Sequence, residues 1–440
     1  MDMRNCSPLY RQACRGLTLS ALVLLGVPLV SASAQDPVAL AASRPLTLDL
    51  SRSRAREVSA ELTAARAAVA VATARERQGS AFANPTLTMQ REQASANGAS
   101  NSQLITALEQ PLEIGGTRSA RRRVLALRRG QAEAELVAAE HRLDFTVAHA
   151  FAQLLAADRR LVLSRAAASE FADAGAASEA RFAAGDISGY THRRLRLEVA
   201  RYASLLAADA LARRSAERAL ARLLDLPGDA VLNVAAQAPE LRSGFTGLAP
   251  DDSLRALAAR HRPDLRAATL GTEAARAEIG VARRERFSQV RLTAGMLNQG
   301  VAGGASLSGF VAGVAIPIPL WDRNAGAIDA ASAFTDQRSA ETEALRRRIA
   351  TEVSDAADAL RAIREQLDLL RPRLGEESAQ ALRAARVAYA EGEISLLEWL
   401  DAVRAYHEAE VAYAALDAEA LTRRAALERA LGISISRINP

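Results

Sequence analysis

From Arg118 to Arg181 the chain reads as helix for 64 residues. One α-helix of that length would span roughly 95 Å at 1.5 Å per residue, which no compact domain accommodates. Leu136, Leu143, Leu154 and Leu161 recur along it at coiled-coil intervals, so the tract needs partner helices along its length. The composition agrees: 24% of residues are charged and only 4% aromatic, the profile of long helices and not of several compact cores. Small Ala faces bury little area each, so stability has to be spread over long, repeated interfaces.

The plan occurs twice. FAAGDIS (182–188) matches YAEGEIS (389–395), and LARLLDLP (220–227) matches LERALGIS (427–434), both at an offset of 207. EQPLEIGG (109–116) matches IPLWDRN (318–324) at an offset of 208. Three matches in the same order at nearly constant offset indicate an internal duplication of large units. Each unit opens with a helix, near 47–80 and near 253–286. Two strand-like segments follow, then a long helix (about 118–181 and 325–388), the Gly phrase, and a further helix to Leu226 or Leu431. The domain reading is a signal peptide over 1–34, a first repeat over 35–226, a linker over 227–252 rich in Pro, Gly and Asp, and a second repeat over 253–440.

The strands are expected near 85–92, 103–109, 290–296 and 307–316. Val290, Leu292, Ala294 and Met296 alternate with Arg291, Thr293 and Gly295, and Phe310, Ala312, Val314 and Ile316 alternate with Val311, Gly313 and Ala315. Leu87 and Met89 alternate with Thr88 and Gln90. Period two fits a sheet with two unlike faces, and ASANGASN (94–101) and NQGVAGGAS (298–306) supply turns. Pattern alone leaves ordinary surface hairpins open as an alternative.

The N-terminus reads as an export signal: Arg4, Arg11 and Arg15, an apolar run from Leu17 to Val30, then Ala32-Ser33-Ala34 before Gln35. The run is short of the roughly 20 residues a spanning helix needs. Cys6 and Cys14 both lie inside the signal, so the mature chain has no thiol for a disulfide or a metal. No Cys follows the apolar run to take an N-terminal lipid. Removing 1–34 lowers the formal charge from +5 to +3, and the interspersed Arg and Asp/Glu are those of solvated helix faces, not of a nucleic-acid patch.

Export, long helices and amphipathic hairpins together point to an outer membrane. Strands of about ten residues cross a bilayer when tilted, but a sheet in lipid must close. Single-chain barrels need at least about eight strands, and this chain offers four. Several protomers must then share one barrel, with the helices bundled below it.

The duplicated helix–strand–strand–helix plan, NPTL (84–87) and the two Gly phrases resemble the TolC-type outer membrane efflux proteins, over nearly the whole mature chain. QPLEIGGTR (110–118) and IPIPLWDRNAGAI (316–328) are similar to the CzcC-like branch, associated with heavy-metal cation efflux. The resemblance implies a mainly α fold with a small β part. Long coiled-coil helices form a periplasmic α-barrel, and four strands per protomer join a shared β-barrel of a homotrimer. It implies a passive outer-membrane channel of a tripartite system, working with a periplasmic adaptor and an inner-membrane RND-type pump, without a cofactor and without nucleic acid.

It also places the Gly phrases at the periplasmic tip. Gly185, Asp186, Ile187, Gly392, Glu393 and Ile394 are the expected adaptor-docking tips. Gly takes positive φ at no steric cost there, Asp186 and Glu393 suit the start of the next helix, and Ser188 and Ser395 suit N-caps. Tyr389, Glu398 and Asp401 are the expected periplasmic gate. Glu398 and Asp401 are three apart and share a helix face, and a ring of such acids would favour cations. Tyr389 matches a position whose hydroxyl ties neighbouring helix pairs shut. Two departures stand out: Thr191 is found where an acid partner for that Tyr is expected, and Ile394 where a basic one is.

All 56 basic residues are Arg, so no Walker A motif exists. There is no HExxH and no GxSxG elbow, and scattered His with two Met in the mature chain form no soft metal cluster. An enzyme is therefore not expected. Of the five His, only His192 lies near a tip. Two other functions stay open on the sequence: a channel for multidrug efflux or type I secretion, and a periplasmic coiled-coil structural protein without a pore.

Overall fold

The computed structural model describes residues 45–96, 99–234, 248–286, 289–300, 304–370 and 376–435. The export signal lies outside the described residues. The first repeat comprises α1 (Leu48–Val58), α2 (Ala60–Ser80), β1 (Thr86–Ala96), β2 (Ala99–Leu112), α3 (Thr117–Ala184) and α4 (Gly189–Leu223). The second comprises α5 (Asp251–His261), α6 (Pro263–Glu285), β3 (Val290–Gly300), β4 (Ser306–Ala315), α7 (Ala325–Leu370), α8 (Glu376–Glu391) and α9 (Leu396–Leu431).

Two differences from the sequence reading have local causes. The opening helix of each repeat is two helices, not one. Ser59 leaves helical geometry (φ −63°, ψ 120°) so that its side chain can accept from Leu62 N. At the equivalent place Arg262 is extended because Pro263 follows at the first position of α6. The strands also run further than expected. Residues 93–96 and 99–102 are polar or small and give no alternation to read, yet the backbone ladder continues through them: Gln93 pairs with Ser102 and Ala96 with Ala99.

α3 is the spine. Its 68 residues lie between the caps Gly116 and Gly185, both in the left-handed region (φ 72° and 82°). It packs against α1, α2, α4, α6 and α9. Near the sheet the helices lie in the order α2, α3, α6, α7; further away α4, α3, α9 and α7 are neighbours. Buried Ala134, Ala138, Ala139, Ala148, Ala150 and Ala152 let helices approach α3 closely, while Phe151, Leu154 and Val147 fill the core mid-length. That core also takes Leu220 and Leu224 from the end of α4, Leu421 and Ala425 from α9, and Leu232 and Val234 from the segment after α4. The segment is tied down: Leu232 N donates to Glu217 at 2.7 Å and Leu46 N to Asn233 O at 2.7 Å. A second core joins α5, α7 and the end of α9.

The four strands form one antiparallel sheet in the order β1-β2-β3-β4, so β2 and β3 join the repeats. The register puts Leu87, Met89, Leu108, Leu292, Met296, Phe310 and Val314 on one face. All are exposed, Phe310 at 86%. The other face carries Thr86, Thr88, Gln90, Thr293, Gly295, Gly313 and the ion pair Arg291–Glu109 at 3.6 Å. Gly295 is required there: a Cβ would lie 2.4 Å from Thr106 O. Among the described residues β1 and β4 have no outer neighbour. Among the described residues no helix is long and apolar enough to cross a membrane.

Candidate functional site at the helix tips

The helices end, far from the sheet, in two turns built alike. After α3, Asp186 N donates to Arg181 O (2.9 Å) and Gly185 N to Phe182 O (3.1 Å). After α8, Glu393 N donates to Ala388 O (2.8 Å) and Gly392 N to Tyr389 O (3.2 Å). These are Schellman closures, which need a left-handed residue; Gly185 (φ 82°) and Gly392 (φ 79°) supply it. Ser188 and Ser395 cap α4 and α9 by accepting from Thr191 N and Glu398 N. Asp186 and Glu393 lie ahead of these caps and close the turns through their backbone N–H groups. They precede the helix start that the sequence suggests for them; in the first turn itself α9 has Glu398 and α4 has no acid.

The likeness extends one helical turn past the quoted phrases. Phe182 stacks on His192 (4.8 Å, 3°) and Tyr389 stacks on Trp399 (5.4 Å, 19°). Both pairs join equivalent positions of the two repeats, and His192 and Trp399 are both buried. His192 is further held by Ser178 (Oγ to Nδ1, 3.2 Å) and faces Glu179 at 3.4 Å. Trp399 belongs to a core with Phe171, Tyr202, Leu195, Leu400 and Val403, in which Phe171 and Tyr202 stack at 4.1 Å. Its indole N–H has no partner among the described residues.

The expected gate residues are brought to one end but do different things. Tyr389 lies in reach of Arg181, whose Nη1 donates to its hydroxyl at 3.4 Å, so a residue of the first repeat holds it. Glu398 completes a capping box, accepting from Ser395 N (2.7 Å) and Ser395 Oγ (2.8 Å). Those bonds to the Ser395 backbone and hydroxyl hold its carboxyl below the usual range. At the equivalent position Thr191 bonds only to Ser188 Oγ, at 3.0 Å. Asp401 is 60% exposed and meets Arg404 at 3.7 Å; Arg404 also reaches across to Glu198 of α4 at 2.7 Å. Ile187 and Ile394 are half-buried, with Ile394 against the Trp399 core.

Arg181, Trp399, Arg404 and Glu198 were not singled out in the sequence. Trp399 had a signal: it is one of two Trp in a chain 4% aromatic. Arg181 and Glu198 had none, since Arg and Glu cover every helix. Further along α9, His407 meets Ser164 of α3 (3.2 Å), which donates to Asp209 of α4 (2.5 Å), which in turn pairs with Arg160 (2.7 Å). Among the described residues no group of three His, Cys, Asp or Glu is placed to hold a metal ion.

A family model described as outer membrane efflux protein matches residues 254–433. The backbone superposes on the crystal structure of CusC, a study of folding and transmembrane channel formation, with a TM-score of 0.72 at 21% identity, covering 88% of this chain and 92% of that one. Over residues 254–433 the chain is similar to the outer membrane efflux proteins, and its fold is that of the CusC channel. It is 26% identical over 324 residues to the cobalt-zinc-cadmium resistance protein CzcC of Cupriavidus metallidurans, covering 73% of this chain and 75% of that protein. It is 30% identical over 263 residues to the nickel-cobalt-cadmium resistance protein NccC of Alcaligenes xylosoxydans xylosoxydans, covering 57% and 56%. The relatives and solved channels it resembles place it in the outer membrane, with the helices reaching into the periplasm.

Proposed function

We propose that this protein is the passive outer-membrane conduit of a tripartite efflux system that exports divalent heavy-metal cations. The observation that carries this reading is the open sheet: four strands with an apolar face and unpaired edges, mounted on helices about 100 Å long. Lipid does not tolerate open edges, so β4 of one protomer pairs with β1 of the next, and a homotrimer closes the barrel. A conduit of this kind does no chemistry; members of the family are channels, and the energy comes from an inner-membrane RND-type pump through a periplasmic adaptor. The adaptor docks on the turns at Gly185–Ile187 and Gly392–Ile394. The cargo class rests on the cobalt, zinc, cadmium and nickel resistance of CzcC and NccC.

Deleting the gene tests the cargo: tolerance to cobalt, zinc, cadmium or nickel salts should fall while tolerance to organic drugs holds. A drug-only phenotype would replace the cation reading with the multidrug one. Outer-membrane fractionation should find a detergent-resistant trimer, and a soluble monomer would remove the channel altogether. At the gate, Asp401 is held only by the longer 3.7 Å contact with Arg404 and is 60% exposed, whereas Glu398 is committed to its own helix. Asp401→Asn should therefore reduce cation selectivity in planar bilayers by more than Glu398→Gln. Equal, unchanged selectivity in both would take them out of the pore.

A further inference from the structure

Near the sheet, three arginines of α3 have carboxylate partners: Arg121 with Glu113, Arg128 with Glu278, and Arg129 with Glu76 and Glu133. Arg123 of α3 and Arg276 and Arg284 of α6 have none within ion-pair distance among the described residues. These three line one cleft of about 660 Å³ between α3 and α6, together with Ser119, Leu127 and Glu273. The single Glu leaves positive charge in excess. Ser119 already donates its hydroxyl to Gly116 O (2.8 Å), so the donors that remain are guanidinium groups. Arg284 Nη1 gives one hydrogen bond to Gly280 O (3.1 Å), and its Nε faces the Gly116 turn, where a Cβ would lie 3.5 Å away.

The height and the side of this cleft identify what can reach it. Ser119 lies in the first turn of α3 and Arg284 in the last turn of α6, so the cleft begins where helices give way to β2 and β3. A separate hollow, lined by Glu113, Thr117, Arg121, Gln289 and Arg291, opens on the side of the sheet's polar face. Ser119 and Arg123 each follow a residue of that hollow by two positions, about 200° around the helix. The arginine cleft therefore opens on the opposite side, below the apolar face. Ile114, in the link above it, is 71% exposed. α3 and α6 are the middle helices of the layer, so a neighbouring protomer, which meets the sheet at β1 and β4, leaves the cleft open.

We propose that this cleft binds the phosphate of an anionic phospholipid in the periplasmic leaflet of the outer membrane, of the phosphatidylglycerol class. Planar guanidinium groups from both repeats can hold a phosphodiester through paired N–H donors, and a cationic cluster at a membrane boundary selects anionic headgroups. The acyl chains continue up the apolar face of the sheet. The bound lipid would link α3 to α6, and hence the two repeats, beneath the barrel. The proposal rests on the membrane placement of the sheet and not on the cargo.

Native mass spectrometry of the assembled channel tests it, with phosphatidylglycerol, phosphatidylcholine or inorganic phosphate supplied at matched concentration. The wild type should retain phosphatidylglycerol about tenfold over phosphatidylcholine, and millimolar inorganic phosphate should not displace it. Arg123→Gln with Arg284→Gln should abolish the preference, and so should Arg276→Gln, which touches no turn. Arg75→Gln with Arg77→Gln, the same charge loss on α2, should leave it intact. Equal retention of the two lipids, retention unaffected in the cleft variants, or displacement by inorganic phosphate overturns the proposal. Conductance of the same preparations keeps the two readings apart, because a conducting wild type without lipid preference removes the cleft and leaves the channel.

Discussion

At the scale of single residues, the two tip glycines carry the plainest consequence. Nothing lies within 4 Å of a Cβ built on Gly185 or Gly392, and both have positive φ. Gly185→Ala or Gly392→Ala therefore costs only backbone strain, about 1–2 kcal/mol, read as faster amide exchange at the tip with no change in the rest of the helix. Ser395→Ala should cost about 1 kcal/mol by removing the cap of α9. Glu398 adds a pH dependence to that cap: its lowered carboxyl value stabilises the turn above the unfolded carboxylate range, and the contribution is lost as pH falls through the folded value. His407 acts in the same direction for another reason. Burial, first of its causes, holds the imidazole below its ordinary value, so the folded state prefers it neutral. Around it stand Ser164 on α3, Asp209 on α4 with its partner Arg160, the edge of Tyr202, and Glu408 on its own helix. Stability is full above about pH 6.5 and declines as pH falls toward the folded value. His407→Gln should flatten urea midpoints measured between pH 7 and pH 5; an unchanged slope would place the loss at other groups.

At the scale of elements, the sheet and the helices were legible to different degrees. Period-two alternation in Leu292–Met296 and Phe310–Val314 identified the apolar face, because a sheet with two unlike faces places apolar side chains at every second position, and the register shows that they share a face. The polar ends of the strands carry no such demand, so Gln93–Ala96 and Asn101–Ser102 left no trace although they are paired. In the helices, hydrophobic spacing revealed α3 but not its neighbours: Arg and Glu on the solvent faces look alike whether they pair across helices, as Arg404 with Glu198, or along one, as Arg423 with Glu419. The tips were legible as turns because Gly and Ser have local conformational work there. The stacking of Tyr389 on Trp399 joins positions separated by the turn itself and needed coordinates. The sheet faces make a paired prediction. Leu292→Arg or Val314→Arg should cost about 2–4 kcal/mol at mid-membrane depth and reduce folding into lipid vesicles, whereas Thr293→Arg on the polar face should fold normally. Equal tolerance of all three would mean the sheet does not lie in lipid.

At the scale of the whole molecule, the two repeats meet at β2 and β3, and the chain's two free edges belong to different repeats, β1 to the first and β4 to the second. Each seam between protomers in the proposed trimer would thus repeat the junction found inside one protomer, second repeat against first. The long helices do not share this property: α3 packs against α1, α2, α4, α6 and α9 of its own chain. A protomer is then a folded stalk carrying an unfinished sheet. This has a genetic meaning. A variant whose β4 edge cannot pair, such as Gly313→Pro, would still fold its stalk, still enter mixed assemblies, and leave a gap in every barrel it joined. With equal expression beside the wild type, only about one assembly in eight would be free of it, and so closed, in a random three-part assembly. Such an allele would behave as dominant, and metal sensitivity in a strain carrying both copies would reveal it without any purification.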